Sequence, residues 1–353
     1  MIRRVQLNLT YANEGKLQKL DLLMDESLRV INTFIDLLWE AGTFHGSYAK
    51  LSTDTWLSAR MQQCLSKQAL EVVKSQRKRR KKTKPTVTKP TLNLDQRFLS
   101  FLEDDNKFDF WIRIQSLGER IILNIPSKKH KHFNHFREDG WVLRNSGRLR
   151  RTPRGWFLDV FFEKEAPAKQ PGGDALGIDC GYKKLLACSD GRITGQSLEA
   201  CYEKISRKKQ GSAAFKRALV ERDQLINRTV NELDLTGVTT VVVEDLKNVK
   251  KNSKGKIRKR FNNKLQRWTY PKVLGKLASI CELTGRSFVT VDPAYTSQKC
   301  SMCGHVDKNS RQGESFLCTR CGTSLDADIN AARNILMRGA CSPPSLQPIS
   351  YFS

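Results

Sequence analysis

The sequence contains no long apolar run. A membrane-spanning helix needs roughly eighteen or more consecutive apolar residues, and no such stretch occurs among the 353 residues. The first residues, Met1-Ile2-Arg3-Arg4, do not lead into the apolar core of a signal peptide. A Ser-His-Asp arrangement, a P-loop and a dinucleotide-binding glycine motif are also missing, and the five histidines lack metal-site spacing. We therefore expect neither a membrane span nor any of these common chemistries.

Acidic residues are scarce relative to basic ones. There are 36 Asp and Glu against 62 Lys and Arg, which gives a formal net charge of +26 (62 − 36). This excess is far larger than solubility requires and indicates a polyanionic partner, of which nucleic acid is the commonest. A generally basic surface, or a protein bound at a membrane surface, is the alternative. The 6 Trp and 16 Phe, several in alternating runs, argue against disorder.

The first half of the chain predicts a small β-barrel with helices inserted into it. Alternating apolar residues predict a strand over 2–10, and apolar steps of three and four predict helices between 16 and 82. Short alternating runs separated by turn signals over 92–165 have the spacing of a barrel. Basic side chains of this half are candidates for contact with nucleic acid, although such charge runs are usually solvated. They are Arg77, Lys78, Arg79, Arg80, Lys81, Lys82, Arg148, Arg150 and Arg151.

The second half of the chain has a different pattern, which begins after a Pro- and Gly-rich linker at residues 165–173. Three strands, a charged helix, a β-branched strand, a helix, a strand and a final helix follow in that order. This order is that of an RNase H-like α/β domain. The first strand ends at Asp179, the β-branched strand ends at Glu244, and Asp328 begins the last helix.

These three acids are candidate ligands of a shared metal site. Asp328, Ala331 and Ala332 lie on one helical face, and the small alanines would let that helix pack closely on the sheet. Three carboxylates in one place repel each other unless cations neutralise them, and their hard oxygens favour Mg²⁺. Two Mg²⁺ ions about 3.5–4 Å apart would stabilise the attacking and leaving oxygens of a phosphodiester displacement. The candidate catalytic residues are therefore Asp179, Glu244 and Asp328.

Each acid also has a purely structural interpretation. Asp179 could form a turn, Glu244 could lie at a sheet edge, and Asp328 could cap its helix. Asp326 competes with Asp328 as the third acid, and the alanine face is the reason to prefer Asp328. The order of the acids along these elements, rather than any acid alone, favours the metal site.

Four of the ten cysteines form a motif typical of zinc sites. Cys300-Ser301-Met302-Cys303 is followed after fourteen residues by Cys318-Thr319-Arg320-Cys321, with a glycine after each pair. Two such pairs predict a closed, tetrahedral Zn²⁺ site, and because all four ligands are cysteines we expect the zinc to be structural. Two disulfides are the weaker alternative, since the absence of a secretory signal indicates a reducing compartment. The position of the motif suggests that the zinc braces Asp328 or the nucleic acid above it.

The motifs of the second half, taken in order, resemble the TnpB family. They are Gly177-Ile178-Asp179-Cys180-Gly181, Val243-Glu244-Asp245-Leu246, Pro293-Ala294-Tyr295-Thr296-Ser297-Gln298-Lys299-Cys300, the cysteine pairs and Asp328-Ile329-Asn330-Ala331-Ala332. TnpB proteins are transposon-encoded, RNA-guided DNA nucleases related to the type V CRISPR effectors. The motifs cover about residues 174–340, whereas the first half resembles the family only in layout.

The resemblance implies a multidomain α+β architecture. The expected domains are a wedge β-barrel (1–12 and 86–166), a helical recognition lobe (13–85), a RuvC-like nuclease domain of RNase H fold (174–294 and 326–340), a zinc ribbon (295–325) and a disordered tail (341–353). The chain is short for such an effector. A second protein copy or a large RNA would complete the channel for the guide–target duplex, so monomer and homodimer on one RNA both stay open.

The resemblance also implies a function, that of a Mg²⁺-dependent DNA endonuclease directed by a guide RNA. Its single RuvC-like site would cut both strands of a double-stranded target beside a short adjacent motif, with base pairing supplying the sequence choice. A prokaryotic, cytoplasmic location is expected, with nucleoid association when DNA is bound. The alternatives are a miniature type V CRISPR effector with the same chemistry, an RNA-guided repressor without nuclease activity and an unguided, resolvase-like nuclease.

Overall fold

The computed structural model describes residues 1–42, 50–80, 82–103, 108–137, 140–246 and 269–340. The chain divides into two compact units, Met1–Glu165 and Ala166–Ser353. Both combine helices with sheets, so the protein is a mixed α/β, multidomain protein. None of the described helices has both the length and the apolar character needed to cross a membrane.

The first unit contains two antiparallel sheets that share one hydrophobic core. The larger has the order β1-β7-β6-β2 and the smaller the order β3-β4-β5. The strands are β1 (Ile2–Asn8), β2 (Thr91–Leu94), β3 (Leu99–Glu103), β4 (Phe110–Ile114), β5 (Leu123–Ser127), β6 (Val142–Thr152) and β7 (Gly155–Glu163). Because β1 pairs with β7 over seven residues, the chain start lies beside the end of the unit.

The predicted closed barrel is not formed by the described residues. Alternation identified most of the strands, but it carries no information about which edges pair, and closure also needs a matched tilt and stagger. Here β2 and β3 belong to different sheets, separated by a short turn in which the Phe98 amide donates to the Asp95 carbonyl at 3.0 Å. The barrel is therefore corrected to two open sheets around a common core.

Three helices complete the first unit. They are α1 (Glu14–Glu40), α2 (Ala59–Arg77) and the short α3 (Lys131–His135). The Asn13 side chain accepts from the Lys16 amide and caps α1, and Ser58 caps α2 in the same way through the Met61 amide. Both long helices bury their apolar face in the shared core.

The second unit is built on one five-stranded sheet with the order β10-β9-β8-β11-β12. The adjacent strands β8, β11 and β12 are parallel, with β12 at one edge, whereas β9 and β10 are antiparallel to their neighbours. The strands are β8 (Asp174–Asp179), β9 (Leu186–Cys188), β10 (Ile193–Thr194), β11 (Val238–Glu244) and β12 (Ser287–Val291). A small separate sheet contains β13 (Arg311–Gln312), β14 (Ser315–Leu317) and β15 (Ser324–Asp326).

Helices cover both faces of the five-stranded sheet. They are α4 (Leu198–Ser206), α5 (Ala213–Asn231), α6 (Tyr270–Leu283) and α7 (Ala327–Ala340). These labels count the helices of the described residues only. Along β11, Val241 and Val243 pack with α4, α5 and α6, whereas Val242 packs with Ile335 of α7. This alternation is the two-residue period of a strand that is buried on both faces. The charged segment predicted as one helix over 198–235 is two helices, α4 and α5.

Helix α7 lies unusually close to strand β8. A Cβ added to Gly177 would come within 2.2 Å of the Ala332 carbonyl oxygen and 2.8 Å of the Leu336 amide nitrogen. A second contact lies one turn further on, where a Cβ at Gly339 would approach Val242 Cγ1 to 2.5 Å. The helix therefore rests on the sheet through glycines at two points. This packing brings the start of α7 to the end of β8.

We predict that Gly177→Ala destabilises the second unit by roughly 1–3 kcal/mol, the usual cost of overpacking a well-packed core. The clash is with helix backbone, which cannot rotate away as a flexible side chain could. Urea unfolding followed by circular dichroism measures the effect. Gly15→Ala is the control, since a methyl group there meets nothing within 4 Å. Equal stability of Gly177→Ala and the wild type would contradict the close packing.

Candidate metal centres

The three predicted acids converge at one edge of the five-stranded sheet. Asp179 ends β8 and Glu244 ends the neighbouring parallel strand β11, where Ile178 and Val243 are directly paired. Burial raises the pKa of Asp179 well above its usual value, and the nearby charges of Glu244 and Asp328 raise it further. Residues more than sixty positions apart along the chain therefore interact electrostatically at this edge.

Glu244 is held by groups from several elements. Burial raises its pKa, while the Thr296 hydroxyl and then the charges of Arg338 and Arg311 act to lower it. The Thr296 hydroxyl donates a short hydrogen bond to Glu244 Oε1. The net pKa of Glu244 is above its usual value. A cation placed between Asp179 and Glu244 would therefore relieve a real electrostatic cost.

The structure distinguishes Asp328 from its competitor Asp326. Asp326 Oδ1 accepts from the Asp328 and Ile329 amides and so caps α7, while its other oxygen is bound by Lys184. Asp328 lies one step inside the helix with 15% of its side chain exposed, and Arg311 Nη2 donates to it at 2.7 Å. The charge of Asp328 is among the main causes that raise the pKa of Asp179, after burial and the charge of Glu244. The geometry therefore favours Asp328 as the third acid.

The acid cluster offers the kind of ligand atom that divalent cations bind, although its carboxylates are not close enough together to share one ion as they stand. All its donors are carboxylate oxygens, the type that Mg²⁺ prefers. Two cations of the chain, Arg311 and Lys184, already lie against Asp328, at 2.7 Å and 3.9 Å. Within the described residues, the one group with all ligand atoms inside 4.8 Å is a cysteine cluster, so the acids are more widely spread.

The four predicted zinc ligands do come together. Cys300, Cys303, Cys318 and Cys321 place their sulfur atoms within 4.8 Å of one another. The sulfurs of Cys300 and Cys321 are 3.7 Å apart, and those of Cys303 and Cys318 are 3.6 Å apart. A tetrahedron with Zn–S bonds of about 2.3 Å has sulfurs about 3.8 Å apart, so the cluster suits zinc. All nine described cysteines are free, so Cys300, Cys303, Cys318 and Cys321 do not form the two disulfides that were the alternative to zinc.

Two thiols of the cysteine cluster are shifted in opposite directions. The Thr323 hydroxyl and backbone, through hydrogen bonds, lower the pKa of Cys321 to about 6. A backbone hydrogen bond acts to lower the pKa of Cys303, but desolvation and hydrogen bonds with the other three cysteines outweigh it and raise that pKa to about 11. Cys300 and Cys318 are buried together with Phe316 and Ala327 in a small core. Because a bound metal lowers the pKa of the thiols that bind it, zinc would hold the cluster as thiolates.

Sequence reasoning missed three polar residues that join these two centres. Thr296 is 3% exposed, Asn330 is fully buried and Asn334 is 4% exposed. The two asparagines stand four residues apart on α7, so they face the same way. Buried amides at this spacing on an otherwise apolar helix face were the available signal, since buried polar groups generally have hydrogen-bond partners.

The predicted nucleic-acid-binding residues fall into two groups. Three are partly buried and have partners within the first unit: Arg77 donates to the Leu38 and Trp39 carbonyls, Arg150 pairs with buried Asp159 at 2.7 Å, and Arg151 pairs with Asp21 and Asp25 at 2.6 Å. The exposed group contains Lys78, Arg79, Arg80, Lys82 and Arg148, of which Arg148 donates to Asn93 Oδ1 at 3.1 Å. Lys81 lies outside the described residues. Contact with nucleic acid stays a prediction for all nine.

Comparison with known proteins agrees with this arrangement. Residues 270–335 match the family model described as the Cas12f1-like TNB domain. A CRISPR-associated endodeoxyribonuclease Cas12f1 of Sulfoacidibacillus thermotolerans is 42% identical over 100 residues, 28% of this chain and 22% of the relative. InsQ of Escherichia coli (strain K12), provisionally named an RNA-guided DNA endonuclease, is 25% identical over 260 residues, 65% of this chain and 64% of the relative.

A solved structure extends the similarity to most of the fold. A chain of a Cas12f1–sgRNA–target DNA complex superimposes with a TM-score of 0.56 at 16% identity, covering 91% of this chain and 81% of that chain. The matched region spans less than two thirds of either relative named above. The resemblance to TnpB and the type V CRISPR effectors is confirmed by these matches.

We predict one zinc ion per purified chain, measured by inductively coupled plasma mass spectrometry. Cys303→Ser should reduce the zinc content to near zero, because three thiolates and a hydroxyl hold zinc far more weakly than four thiolates. Cys64→Ser is the matched control, since Cys64 lies in α2 and bonds only the Asn93 carbonyl. Full zinc occupancy in Cys303→Ser would contradict the assignment of the cluster.

We also predict that neutralising Asp179 stabilises the metal-free protein. A carboxyl group whose pKa is raised in the folded state contributes stability below its unfolded pKa, and this stability is lost as pH rises through the folded value. Metal-free Asp179→Asn should therefore melt at a higher temperature than the wild type at pH 7.5 and gain less at pH 4.5. Thermal scans at the two pH values measure this. A lower melting temperature for Asp179→Asn at pH 7.5 would rule out the repulsion.

Proposed function

We propose that the chain is an RNA-guided, Mg²⁺-dependent DNA endonuclease that uses a single catalytic site to cut both strands of its target. The observation that carries this proposal is the placement of three acids: Asp179 and Glu244 end the neighbouring parallel strands β8 and β11, and Asp328, in the first turn of α7, acts electrostatically on Asp179. Such a cluster is costly in the empty protein and suits cations that bridge a phosphodiester. The names of the relatives, which describe RNA-guided and CRISPR-associated nucleases, support the same activity.

We propose that the second unit is a RuvC-like domain of RNase H fold with an inserted zinc ribbon. Its support is the sheet order β10-β9-β8-β11-β12, with three adjacent parallel strands, β8, β11 and β12, and helices on both faces. Acids at the ends of two neighbouring parallel strands and on the helix that crosses them would face one substrate phosphate. The cysteine cluster immediately precedes that helix.

The roles of the residues follow from their positions. Asp179, Glu244 and Asp328 would hold two Mg²⁺ ions, which when bound activate a water molecule and stabilise the leaving oxygen. Arg311, which contacts Asp328 and acts on both other acids, would neutralise charge at the same phosphate. No His or Ser nucleophile is needed for this chemistry.

The partners proposed are a guide RNA and double-stranded target DNA. The net charge of +26 supports a polyanionic partner, and the related structure is of a complex with sgRNA and target DNA. Residues 13–85 would form a recognition lobe and residues 1–12 with 86–166 a wedge, since β1 pairs with β7 and the helices α1 and α2 are inserted between β1 and β2. One or two protein copies would share one RNA.

A miniature CRISPR effector is a second candidate, and the 42% identity to a Cas12f1 over 100 residues favours it. Its chemistry is the same, and only the source of the guide differs. Sequencing the RNA that co-purifies with the protein separates the two. Reads that match a transposon end support a TnpB-type nuclease, whereas repeat-derived reads support a CRISPR effector.

We predict that Asp179→Ala lowers cleavage of matched DNA by at least about a thousandfold, because one of the three metal ligands is lost, and leaves DNA binding within about threefold. The assay uses protein purified with its RNA and a radiolabelled duplex with Mg²⁺. Asp190→Ala is the matched control, since Asp190 also follows a strand of this sheet but pairs only with its neighbour Arg192.

Strong cutting by Asp179→Ala would overturn the active-site assignment. A wild-type protein that binds matched DNA without any Mg²⁺-dependent nicking would indicate a repressor. Full activity on branched DNA after ribonuclease treatment would indicate an unguided nuclease.

A further inference from the structure

The segment between β12 and the first cysteine pair joins the zinc cluster to Glu244. Thr296 stands in the middle of this segment and is 3% exposed. Its hydroxyl lies against Glu244 Oε1 and 3.0 Å from the Pro293 carbonyl, and the shorter contact is to the carboxylate. The Thr296 hydroxyl is therefore a side-chain hydrogen-bond donor to the Glu244 carboxylate. Glu244 therefore takes its orientation from a residue outside its own strand.

The backbone of this segment is held in a specific and strained conformation. Tyr295, directly before Thr296, has a φ of 62°, in the left-handed region that non-glycine residues rarely adopt. Its carbonyl accepts from the Gln298 and Lys299 amides at 3.0 and 2.9 Å, which closes a tight turn. Such strain persists only where the surroundings fix it, and it often marks functional sites. The turn aims Thr296 inward at the acids.

Two asparagines of α7 fix the same segment from its other side. Asn334 Nδ2 donates to the Thr296 carbonyl at 2.9 Å and to the Lys299 carbonyl at 2.6 Å. Asn330 Nδ2 donates to the Lys299 carbonyl at 2.8 Å, and its Oδ1 accepts from the Ser301 amide at 2.9 Å. These contacts surround Cys300, a cysteine of the zinc cluster. A continuous set of hydrogen bonds therefore runs from the cluster to Glu244.

We propose that Thr296 is a positioning residue that orients Glu244 for divalent metal, and that the zinc cluster holds Thr296 in place through Asn330 and Asn334. This inference rests on the proposed function, since it assumes that Glu244 binds Mg²⁺. The zinc would then support Glu244, whereas the sequence suggested that it braces Asp328 or the nucleic acid. The cluster precedes Asp328 along the chain, but its hydrogen bonds lead to the acid on β11.

The coupling follows from ordinary behaviour of metal sites. Groups that hydrogen-bond a liganding carboxylate fix its rotamer, and removing one typically weakens metal binding about 10–100-fold. Without the hydroxyl, Glu244 is held less firmly while Asp179 and Asp328 keep their own contacts. Zinc loss would release Cys300 and the turn that follows Tyr295, and should weaken the same site.

The test measures Mn²⁺ binding, as a probe for Mg²⁺, by isothermal titration calorimetry on zinc-loaded protein. Thr296→Val keeps the shape of the side chain and removes the hydroxyl, and should weaken Mn²⁺ binding at least about tenfold. Thr296→Ser restores the hydroxyl and should bind within about threefold of the wild type. Thr319→Val is the matched control, because Thr319 also donates to a carboxylate, Asp307 Oδ2, at 2.7 Å within the zinc-bearing region.

Each outcome bears on one claim. Weaker Mn²⁺ binding by Thr296→Val with full zinc content, alongside normal binding by Thr296→Ser and Thr319→Val, supports the positioning role. Equal Mn²⁺ affinity of Thr296→Val and the wild type overturns it. If Asp179→Ala binds Mn²⁺ as tightly as the wild type does, the proposed metal site itself is overturned. Chelation of zinc should weaken Mn²⁺ binding in the wild type and have little further effect in Thr296→Val.

Discussion

The second unit depends on the direct contact between helix α7 and strand β8. No side chain separates Gly177 from the Ala332 carbonyl, and Ala331 and Ala332 are both buried there. A residue of ordinary size at either surface would lift the helix from the sheet. The same helix carries Asp328 at its start and the Asn330–Asn334 pair two and six residues later. One packing contact thereby sets both an acid and the support for the turn before Cys300.

The acid cluster shows how charge is balanced without a bound cation. Arg311 comes from β13, Lys184 from the β8–β9 turn and Arg338 from α7, and their charges offset part of the repulsion among the carboxylates. Burial still raises the pKa values of Asp179 and Glu244. Sites that must bind metal commonly reduce the stability of the empty protein in this way. A bound cation would relieve the part of this cost that the three basic residues leave.

Much of the second unit could be predicted from the sequence because its signals are local. An apolar run that ends in an acid marked β8 and β11, and the paired cysteines marked the zinc cluster. The small residues Ala331 and Ala332 predicted the close helix, although their partner, Gly177, had been interpreted only as part of a strand. These patterns are short and depend on neighbours in the chain, so they survive without knowledge of the tertiary contacts.

The remaining features arise from contacts between distant residues. The pairing of β1 with β7, the pairing of Arg151 with Asp21 and Asp25, and the bond from Thr296 to Glu244 join positions 52 or more residues apart. A run of basic residues looks the same whether it faces solvent or carboxylates. The choice between Asp326 and Asp328 likewise needed the helix cap to be seen. Long-range polar pairing is the part that residue patterns do not encode.

The most direct measurement is an anomalous difference map from crystals grown with Mn²⁺. The account predicts two Mn²⁺ peaks about 3.5–4 Å apart, bound by Asp179, Glu244 and Asp328, with a zinc peak at the cysteine cluster as an internal reference. A zinc peak without manganese at the acids, or manganese bound instead by Asp326 and Glu314, would contradict it.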